Sequence, residues 1–275
     1  EAAIKSLEQR GPDGGNGWTS NDGRWVLGHT RLSIIGLHNG DQPMASPDAA
    51  IHLVVNGEFY GYQEIRAKLQ VSGYQFKTDS DSEIALHLYH ERGMQVATEL
   101  RGEFAVIIAD ESKQIMIAIR DRFGVKPLYY AVINGNVYFA SEIKTLLALG
   151  VPAKWDLEGA TAGPSRTHET TEFAGIFSVP QGSYAIAKNS DVRIYTYWDW
   201  EIPTAVQMKT DQRSEAEVVT EFREVLLDSI EQRLVADVEV ASYLSGGIDS
   251  CAVLGLAQQW LDTAIAAVEC TFNLQ

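Results

Sequence analysis

The chain has 275 residues, 45% of them hydrophobic, so it is long enough to bury one or two sizeable cores. Its formal net charge of −15, with scattered Lys and Arg residues, excludes broad binding to the phosphate backbone of nucleic acids. Because no run approaches the roughly 18 apolar residues that span a bilayer and no signal pattern opens the chain, we expect a cytoplasmic protein without membrane contact.

The first 149 residues alternate strand-like runs with two short amphipathic helices. One helix is predicted after Tyr60 and the other from Ser82 to Arg92. The predicted strands are Ile51 to Val55, Phe104 to Ala109, Ile115 to Ile119, Leu128 to Val132 and Val137 to Ala140. Asn134-Gly135 predicts a hairpin between the last two. Sheets covered by helices predict an α+β sandwich.

The middle of the chain contains two candidate boundaries. Residues Gly150 to Val179 are polar and rich in Gly, Thr and Pro, which predicts a linker or surface loop. Two strands follow, Tyr184 to Ala187 and Val192 to Tyr197. A Pro and several charges then make Glu201 to Arg213 the second boundary. We therefore expect a first domain over residues 1–200, a linker over 201–213 and a second domain over 214–275.

The second domain begins with a long amphipathic helix. Ser214 and Glu217 predict a capping box at its start. Its predicted apolar side comprises Val218, Phe222, Val225, Leu226, Ile230 and Leu234. The elements predicted after it are a strand from Val238 to Leu244, a helix from Ser250 to Leu261 and a strand from Ala264 to Phe272. This order is typical of the opening of a parallel α/β sheet. Cys251 and Cys270 are too few for a disulfide framework and are expected to be reduced core thiols.

A glycine turn in the second domain has the features of a phosphate-binding loop. Ser245-Gly246-Gly247-Ile248-Asp249-Ser250 follows an apolar strand and opens a helix, so its N–H groups can point at an anion. A bare Gly-Gly pair would be only a tight turn, but the whole string resembles the PP-loop of the ATP pyrophosphatases. That resemblance implies ATP and Mg²⁺ as cofactors. Ser245, Gly246, Gly247 and Ser250 would contact the pyrophosphate, Asp249 would help to hold Mg²⁺, and the backbone of Leu244 and Leu274 would meet the adenine. Plain core packing is the alternative role of the two leucines.

Several short strings in the first domain resemble one family when taken in order. They are Arg10 to Asp13, His29 to Ile34, Asn56 to Tyr60, Ser80 to Glu83, Leu100 to Ala105, Arg120 to Tyr130 and Phe139 to Lys144. Each of the early strings alone could be a turn, a hairpin tip or a helix cap. Together they resemble the glutaminase domain of class II amidotransferases, which are N-terminal-nucleophile hydrolases built as an αββα sandwich. With the PP-loop, the whole chain resembles the glutamine-hydrolysing asparagine synthetase family.

The resemblance assigns a glutamine pocket to the first domain. Arg31 would bind the α-carboxylate of glutamine as a bidentate fork. The α-ammonium would meet the Asp81 carboxylate, with Glu58 as a supporting acceptor and the backbone of Leu32 and Ile34 lining the pocket. The Asn56 side chain and the Gly57 N–H would form the oxyanion hole, in which each donor stabilises the tetrahedral intermediate by roughly 3 kcal/mol. His29 is expected to be structural, because no ligands stand at metal spacing beside it.

The nucleophile of this family, a cysteine at the mature N-terminus, is missing from the sequence. We expect both ends to be truncated, because the chain opens at Glu1, within what resembles the end of the helix over Ala2 to Gln9. The cysteine would then lie before Glu1. The 275-residue chain would catalyse neither glutamine hydrolysis nor asparagine formation efficiently. The alternative is a natural loss, which would leave a pseudo-glutaminase.

The resemblance implies a two-site enzyme. A glutaminase releases ammonia from glutamine, and the PP-loop domain uses Mg-ATP to adenylate aspartate, so that asparagine, AMP and pyrophosphate form. Two alternatives stay open: an ATP-dependent ligase on another carboxylate, similar to a β-lactam synthetase, with an inert glutaminase half, and a non-catalytic glutamine-binding module. The partners expected from the resemblance are glutamine, aspartate, ATP and a second copy of the chain in a homodimer.

Overall fold

A computed structural model describes residues 1–157 and 169–259 and the backbone of a strand at residues 266–269. The chain divides into two compact units, Glu1–Asp199 and Trp200–Gln275. In that described part, every helix is too short or too polar to cross a membrane.

A six-stranded antiparallel sheet forms the centre of the first unit. Its strands are β3 (Met44–Ala45), β4 (Ile51–Phe59), β5 (Gly102–Asp110), β6 (Ile115–Arg120), β10 (Ser183–Lys188) and β11 (Asp191–Thr196). Their order across the sheet is β11-β10-β6-β5-β4-β3. All five strands predicted in these regions are confirmed, with ends shifted by up to a few residues. Because side chains alternate along a strand, Val55 and Val106 face one layer while Val54 and Ala105 face another.

Helices cover one face of this sheet. They are α2 (Tyr62–Val71) and α3 (Glu83–Arg92), followed by a 3₁₀ turn (Gly93–Gln95) and α4 (Val96–Glu99). Leu69, Ile84 and Leu88 pack against Phe104 and its neighbours in a continuous apolar core. Both predicted helices are confirmed, and Gly93, with φ of 59°, ends α3 as a residue that can adopt a left-handed conformation.

A second β-layer covers the opposite face. It comprises the hairpin β1 (Gly14–Thr19) and β2 (Val26–Arg31) and a three-stranded sheet of β7 (Tyr129–Ile133), β8 (Asn136–Ala140) and β9 (Ile176–Ser178). Asn134 and Gly135 join β7 to β8 with positive φ at both residues, which confirms the predicted hairpin. Helix α5 (Ile143–Ala148) packs on the outside of this layer and contacts α1 (Ala2–Ser6). The layers are therefore α, β, β and α, as predicted.

The β1–β2 hairpin and residues 150–179 are two of the regions that differ from the sequence prediction. The β1–β2 hairpin was not predicted, because three glycines in Gly14 to Thr19 lower its β-propensity. The prediction of a linker or surface loop over 150–179 is wrong at its ends, since Val151, Ile176 and Val179 are buried and β9 is a sheet strand. Residues 158–168 lie outside the described part.

The second unit contains one βαβ arrangement. Its elements are α6 (Ala205–Thr210), α7 (Glu215–Arg233), β12 (Ala241–Leu244), α8 (Ile248–Ala257) and β13 (Ala266–Glu269). Strands β12 and β13 are parallel, with Ala241 beside Ala266, and α8 connects them. The capping box of Ser214 and Glu217 is confirmed. A second capping box, Thr204 with Gln207, starts a helix inside the stretch predicted as a linker.

Burial in the second unit corrects two predictions. Helix α7 packs against α8 only through its later turns around Ile230, so Val218, Phe222 and Val225 at its start are exposed. Cys251 is exposed rather than a core thiol, because it lies in the first turn of α8, before the residues that pack on α7. Cys270 lies outside the described residues.

Candidate functional site

One large cavity in the first unit brings the predicted glutamine-binding residues together. Its volume is about 1120 Å³, and its lining includes residues from β2, the loop after β2, the end of β4 and the turn before α3. Arg31, Leu32, Ile34, Asn56, Gly57, Glu58 and Asp81 all lie on this cavity wall. The sequence strings that are far apart along the chain therefore meet in space.

Arg31 provides a fixed positive charge at the cavity. It ends β2, and its side chain is 12% exposed. Its Nη2 donates to the Gly36 carbonyl at 2.6 Å, and its Nη1 lies 3.5 Å from the exposed carboxylate of Asp41. Carbonyl groups of the following loop thus orient the guanidinium but do not neutralise it. An anion in the cavity would be attracted to this group.

Asp81 provides a buried negative charge on the same wall. Its side chain is 4% exposed, and its Oδ2 accepts a hydrogen bond from the Phe59 N–H at 2.7 Å. Burial raises the pKa of Asp81, although hydrogen bonds from Phe59, Ser82 and Ser80 oppose that rise. A carboxylate held away from water in this way gains from a cationic ligand group.

Asn56 and Gly57 provide hydrogen-bond donors near the end of β4. The Asn56 Nδ2 atom is buried and has no hydrogen-bond partner among the described residues. Buried polar side chains are normally paired, so an unpaired donor at a cavity wall indicates a place for a ligand acceptor. Gly57 has φ of 139°, and a Cβ there would lie 1.9 Å from the Glu103 carbonyl oxygen. Only glycine allows β4 and β5 to approach this closely.

The remaining predicted residues complete the wall. Glu58 follows Gly57 on β4, opposite Glu103 of β5. Leu32 is 59% exposed, and Ile34 is half-buried. Between them, the Ser33 N–H donates to Asp13 Oδ2 at 2.7 Å, which ties the Arg10 to Asp13 turn to this segment.

Two further polar residues line the cavity: Gln42, which the sequence did not single out, and His29, which was expected to be structural. Gln42 is 7% exposed and bonds both to the Val55 N–H and to Ser82. His29 donates from Nε2 to the Val55 carbonyl at 3.1 Å, and burial lowers its pKa to about 4. No sequence motif marks Gln42, because its partners are distant in the chain.

The glycine turn of the second unit forms an open loop between β12 and α8. Ser245 Oγ lies 3.1 Å from Ser250 Oγ and accepts from the Gly247 N–H at 3.4 Å. Gly246 has φ of 77°, and a Cβ there would meet nothing within 4 Å. The space beside Gly246 is open, and the two hydroxyls lie at a helix N-terminus, where Ser250 Oγ also donates to the Gly247 carbonyl at 3.0 Å. A loop of this kind at a helix N-terminus suits phosphate oxygens.

The other predicted nucleotide residues are only partly described. Leu244 ends β12, and Asp249 is exposed in the first turn of α8. Leu274 lies outside the described residues. Among the residues that the structure describes, no three or more His, Cys, Asp and Glu side chains form a group that could hold a metal ion. Mg²⁺ bound through one carboxylate and the phosphates of a nucleotide needs no such group, so Asp249 fits that role.

Two known protein families match the two parts of the chain. The model of the glutamine amidotransferase domain matches residues 1–198, and the model of asparagine synthase matches residues 221–274. The chain belongs to the glutamine amidotransferase domain family.

Known proteins similar to this chain include both amidases and synthetases. It is 42% identical to the amidase chry2 of Gibberella zeae over 93% of the chain and 38% of that protein. It is 36% identical to asparagine synthetase [glutamine-hydrolyzing] 1 of Bacillus subtilis over 94% of the chain and 41% of that protein. The chain thus spans about two fifths of the length of these relatives.

A solved structure supports the fold assignment. Glutamine phosphoribosylpyrophosphate amidotransferase from B. subtilis, in complex with ADP and GMP, matches with a TM-score of 0.55 and 18% identity. The match covers 98% of this chain and 62% of that chain. The predicted αββα sandwich fold is therefore confirmed for the first unit.

Proposed function

We propose that the first unit binds free glutamine in the cavity and, in the complete protein, supplies its amide nitrogen as ammonia. The observation that carries this proposal is the convergence of three unlike residues on the lining of one cavity: Arg31 with its guanidinium, Asp81 with its carboxylate, and Asn56, whose Nδ2 has no partner among the described residues. These groups match the α-carboxylate, the α-ammonium and the amide oxygen of glutamine. No simpler ligand with fewer polar ends would use all three.

The residues that line the cavity would have different roles in glutamine hydrolysis. Arg31 and Asp81 would fix the amino-acid end, with Glu58 as a further acceptor for the ammonium group. Asn56 Nδ2 and the Gly57 N–H would stabilise the oxyanion as a nucleophile adds to the amide carbon. The thiol nucleophile of this family is absent from residues 1–200, since the only cysteines are Cys251 and Cys270. The 275-residue chain should therefore bind glutamine without hydrolysing it.

We propose that the second unit begins an ATP-dependent synthetase that forms asparagine from aspartate. Ser245, Gly246, Gly247 and Ser250 would hold the pyrophosphate of ATP, and Asp249 would share Mg²⁺ with it. Mg²⁺ would neutralise charge on the phosphates as the acceptor carboxylate is adenylated. The match of residues 221–274 to asparagine synthase supports this reading. Cytoplasmic location and a homodimer remain further parts of the proposal.

A second acceptor is favoured by one observation. Identity to an amidase, at 42%, exceeds the 36% identity to an asparagine synthetase over a similar share of the chain. An amidotransferase acting on a carboxylate other than that of aspartate is therefore the second candidate. In the full-length protein, asparagine formation from glutamine, aspartate and Mg-ATP would support the first candidate. Glutamine hydrolysis without asparagine formation would support the second.

Glutamine binding itself is tested by calorimetry on the 275-residue chain. Replacing Arg31 with glutamine removes the cation and should weaken L-glutamine binding by about 10- to 100-fold, because charge-assisted hydrogen bonds are lost. Arg92→Gln is the matched control, since Arg92 pairs with Glu91 and Glu99 and does not line the cavity. Equal affinities of the R31Q and R92Q variants would overturn the proposed pocket.

A further inference from the structure

We propose that Gln42 is a positioning residue. It fixes the position of Asn56 on β4 relative to Asp81 in the turn before α3. The inference deepens the proposed function and rests on it. Gln42 is 7% exposed, and both ends of its amide are used. Its Oε1 accepts from the Val55 N–H at 2.6 Å, and its Nε2 donates to Ser82 Oγ at 3.4 Å.

The two partners of Gln42 each adjoin a residue that would touch glutamine. Val55 directly precedes Asn56, the candidate oxyanion donor, and Ser82 directly follows Asp81, the candidate ammonium acceptor. The side chain therefore bridges the segment that binds the amide end and the segment that binds the amino-acid end. This bridge is buried, so its hydrogen bonds are costly to leave unmade.

Among the residues that the structure describes, Val55 has no strand neighbour on the Gln42 side. Strand β3 pairs with β4 only through Leu53 and His52, so the ladder stops before Val55 is reached. There Gln42 accepts from the Val55 N–H, while His29 Nε2 donates to the Val55 carbonyl at 3.1 Å. Two side chains thus take the place of strand-to-strand hydrogen bonds at Val55, the residue directly before Asn56. Buried backbone groups require such partners.

An exposed link also joins the loop that carries Gln42 to the turn that carries Ser82. Asn39 Nδ2 donates to Asp79 Oδ2 at 2.9 Å, and the Asp79 N–H donates to Asn39 Oδ1 at 3.0 Å. This pair lies near the solvent and contributes less than a buried link.

The two arms of the cavity are the β4 segment that carries Asn56 and the turn that carries Asp81. Two buried links join them: the direct bond from the Phe59 N–H to Asp81 Oδ2 at 2.7 Å and the Gln42 bridge. Gln42 is the link that acts on Val55, the residue directly before Asn56.

The spacing of the two arms matters only to a ligand that touches both of them. L-Glutamine has an amide end for Asn56 and an amino-acid end for Arg31 and Asp81. L-Norvaline has the same amino-acid end but no amide, so it touches one arm. Misalignment of the arms costs a two-ended ligand the benefit of simultaneous contacts and leaves a one-ended ligand unaffected.

The test measures the affinities of the 275-residue chain for L-glutamine and L-norvaline by NMR titration. Gln42→Met keeps the length of the side chain and removes both hydrogen bonds. It should weaken glutamine binding about tenfold, which corresponds to about 1.4 kcal/mol, and change norvaline binding by less than about twofold. Ser82→Ala is a milder variant that removes one end of the bridge. It should weaken glutamine binding alone, and should add nothing further in the Q42M background.

Tyr89→Phe is the control for general loosening of the fold, because it removes a buried hydrogen bond to Asp110 and neither of these residues lines the cavity. It should leave both affinities unchanged. Equal weakening of glutamine and norvaline by Q42M and S82A would show a merely structural role and overturn the inference. Unchanged glutamine binding in both variants would also overturn it, while leaving the proposed function intact. Failure of the unmodified chain to bind glutamine would instead overturn the proposed function, and the inference with it.

Discussion

Replacing Gly57 with alanine should force β4 and β5 apart beside the oxyanion hole. The added Cβ would lie 1.9 Å from the Glu103 carbonyl oxygen and 2.7 Å from the Phe104 Cα. Both are backbone atoms, so no flexible side chain can move aside. Overpacking of this kind costs about 1–3 kcal/mol. Holding a non-glycine residue at φ of 139° adds about 1–3 kcal/mol. We therefore expect the free energy of unfolding to fall by about 2–6 kcal/mol.

Urea unfolding followed by intrinsic tryptophan fluorescence measures this loss. Gly14→Ala is the matched control, because Gly14 also lies in a strand but a Cβ there meets nothing within 4 Å. That control should change the free energy of unfolding by less than about 0.5 kcal/mol. If the free energy of unfolding of G57A lies within about 1 kcal/mol of that of the unmodified chain, the backbone contact does not restrict the side chain at position 57. That result would refute the prediction.

Three further predictions concern buried carboxylates. Asp81→Asn removes the ionic partner of the ammonium group and should weaken L-glutamine binding about 10- to 100-fold in calorimetry; unchanged affinity would contradict its role. Because burial raises the pKa of Asp81, acidification should reduce glutamine affinity at a pH above the usual range for aspartate titration; calorimetry between pH 4 and 8 checks this, and D81N should lack that dependence. Burial of Glu83 is outweighed by hydrogen bonds from His87, Lys77 and Thr78, which lower its pKa to about 2. Its ionised form therefore stabilises the fold above pH 4.5, and that stability is lost as the pH falls toward 2. Glu83→Gln should cost about 1.5–3 kcal/mol at pH 7 in urea unfolding and flatten that acid limb; an unchanged limb would show that Glu83 is not its source.

Gln42 illustrates a part of the site that only the fold reveals. Its partners, Val55 and Ser82, lie 13 and 40 residues away in the chain, so no local spacing pattern connects them. Asp81 belonged to a recognisable string, but its burial and its bond to the Phe59 N–H depend on how the turn before α3 packs against β4. Sequence patterns reflect local geometry, whereas such contacts depend on the arrangement of whole layers.

The sequence by itself determined the elements whose signals are local. Apolar runs predicted β4, β5 and β6, the Asn134-Gly135 pair predicted its hairpin, and the Ser214 capping box predicted the start of α7, because each depends on residues close in the chain. Tertiary structure alone decided the glycine-rich β1–β2 hairpin, the burial of Val151 and Ile176, and the exposure of Phe222 and Cys251. In each of these cases the free energy depends on which distant residues cover the segment, and that information is absent from local composition.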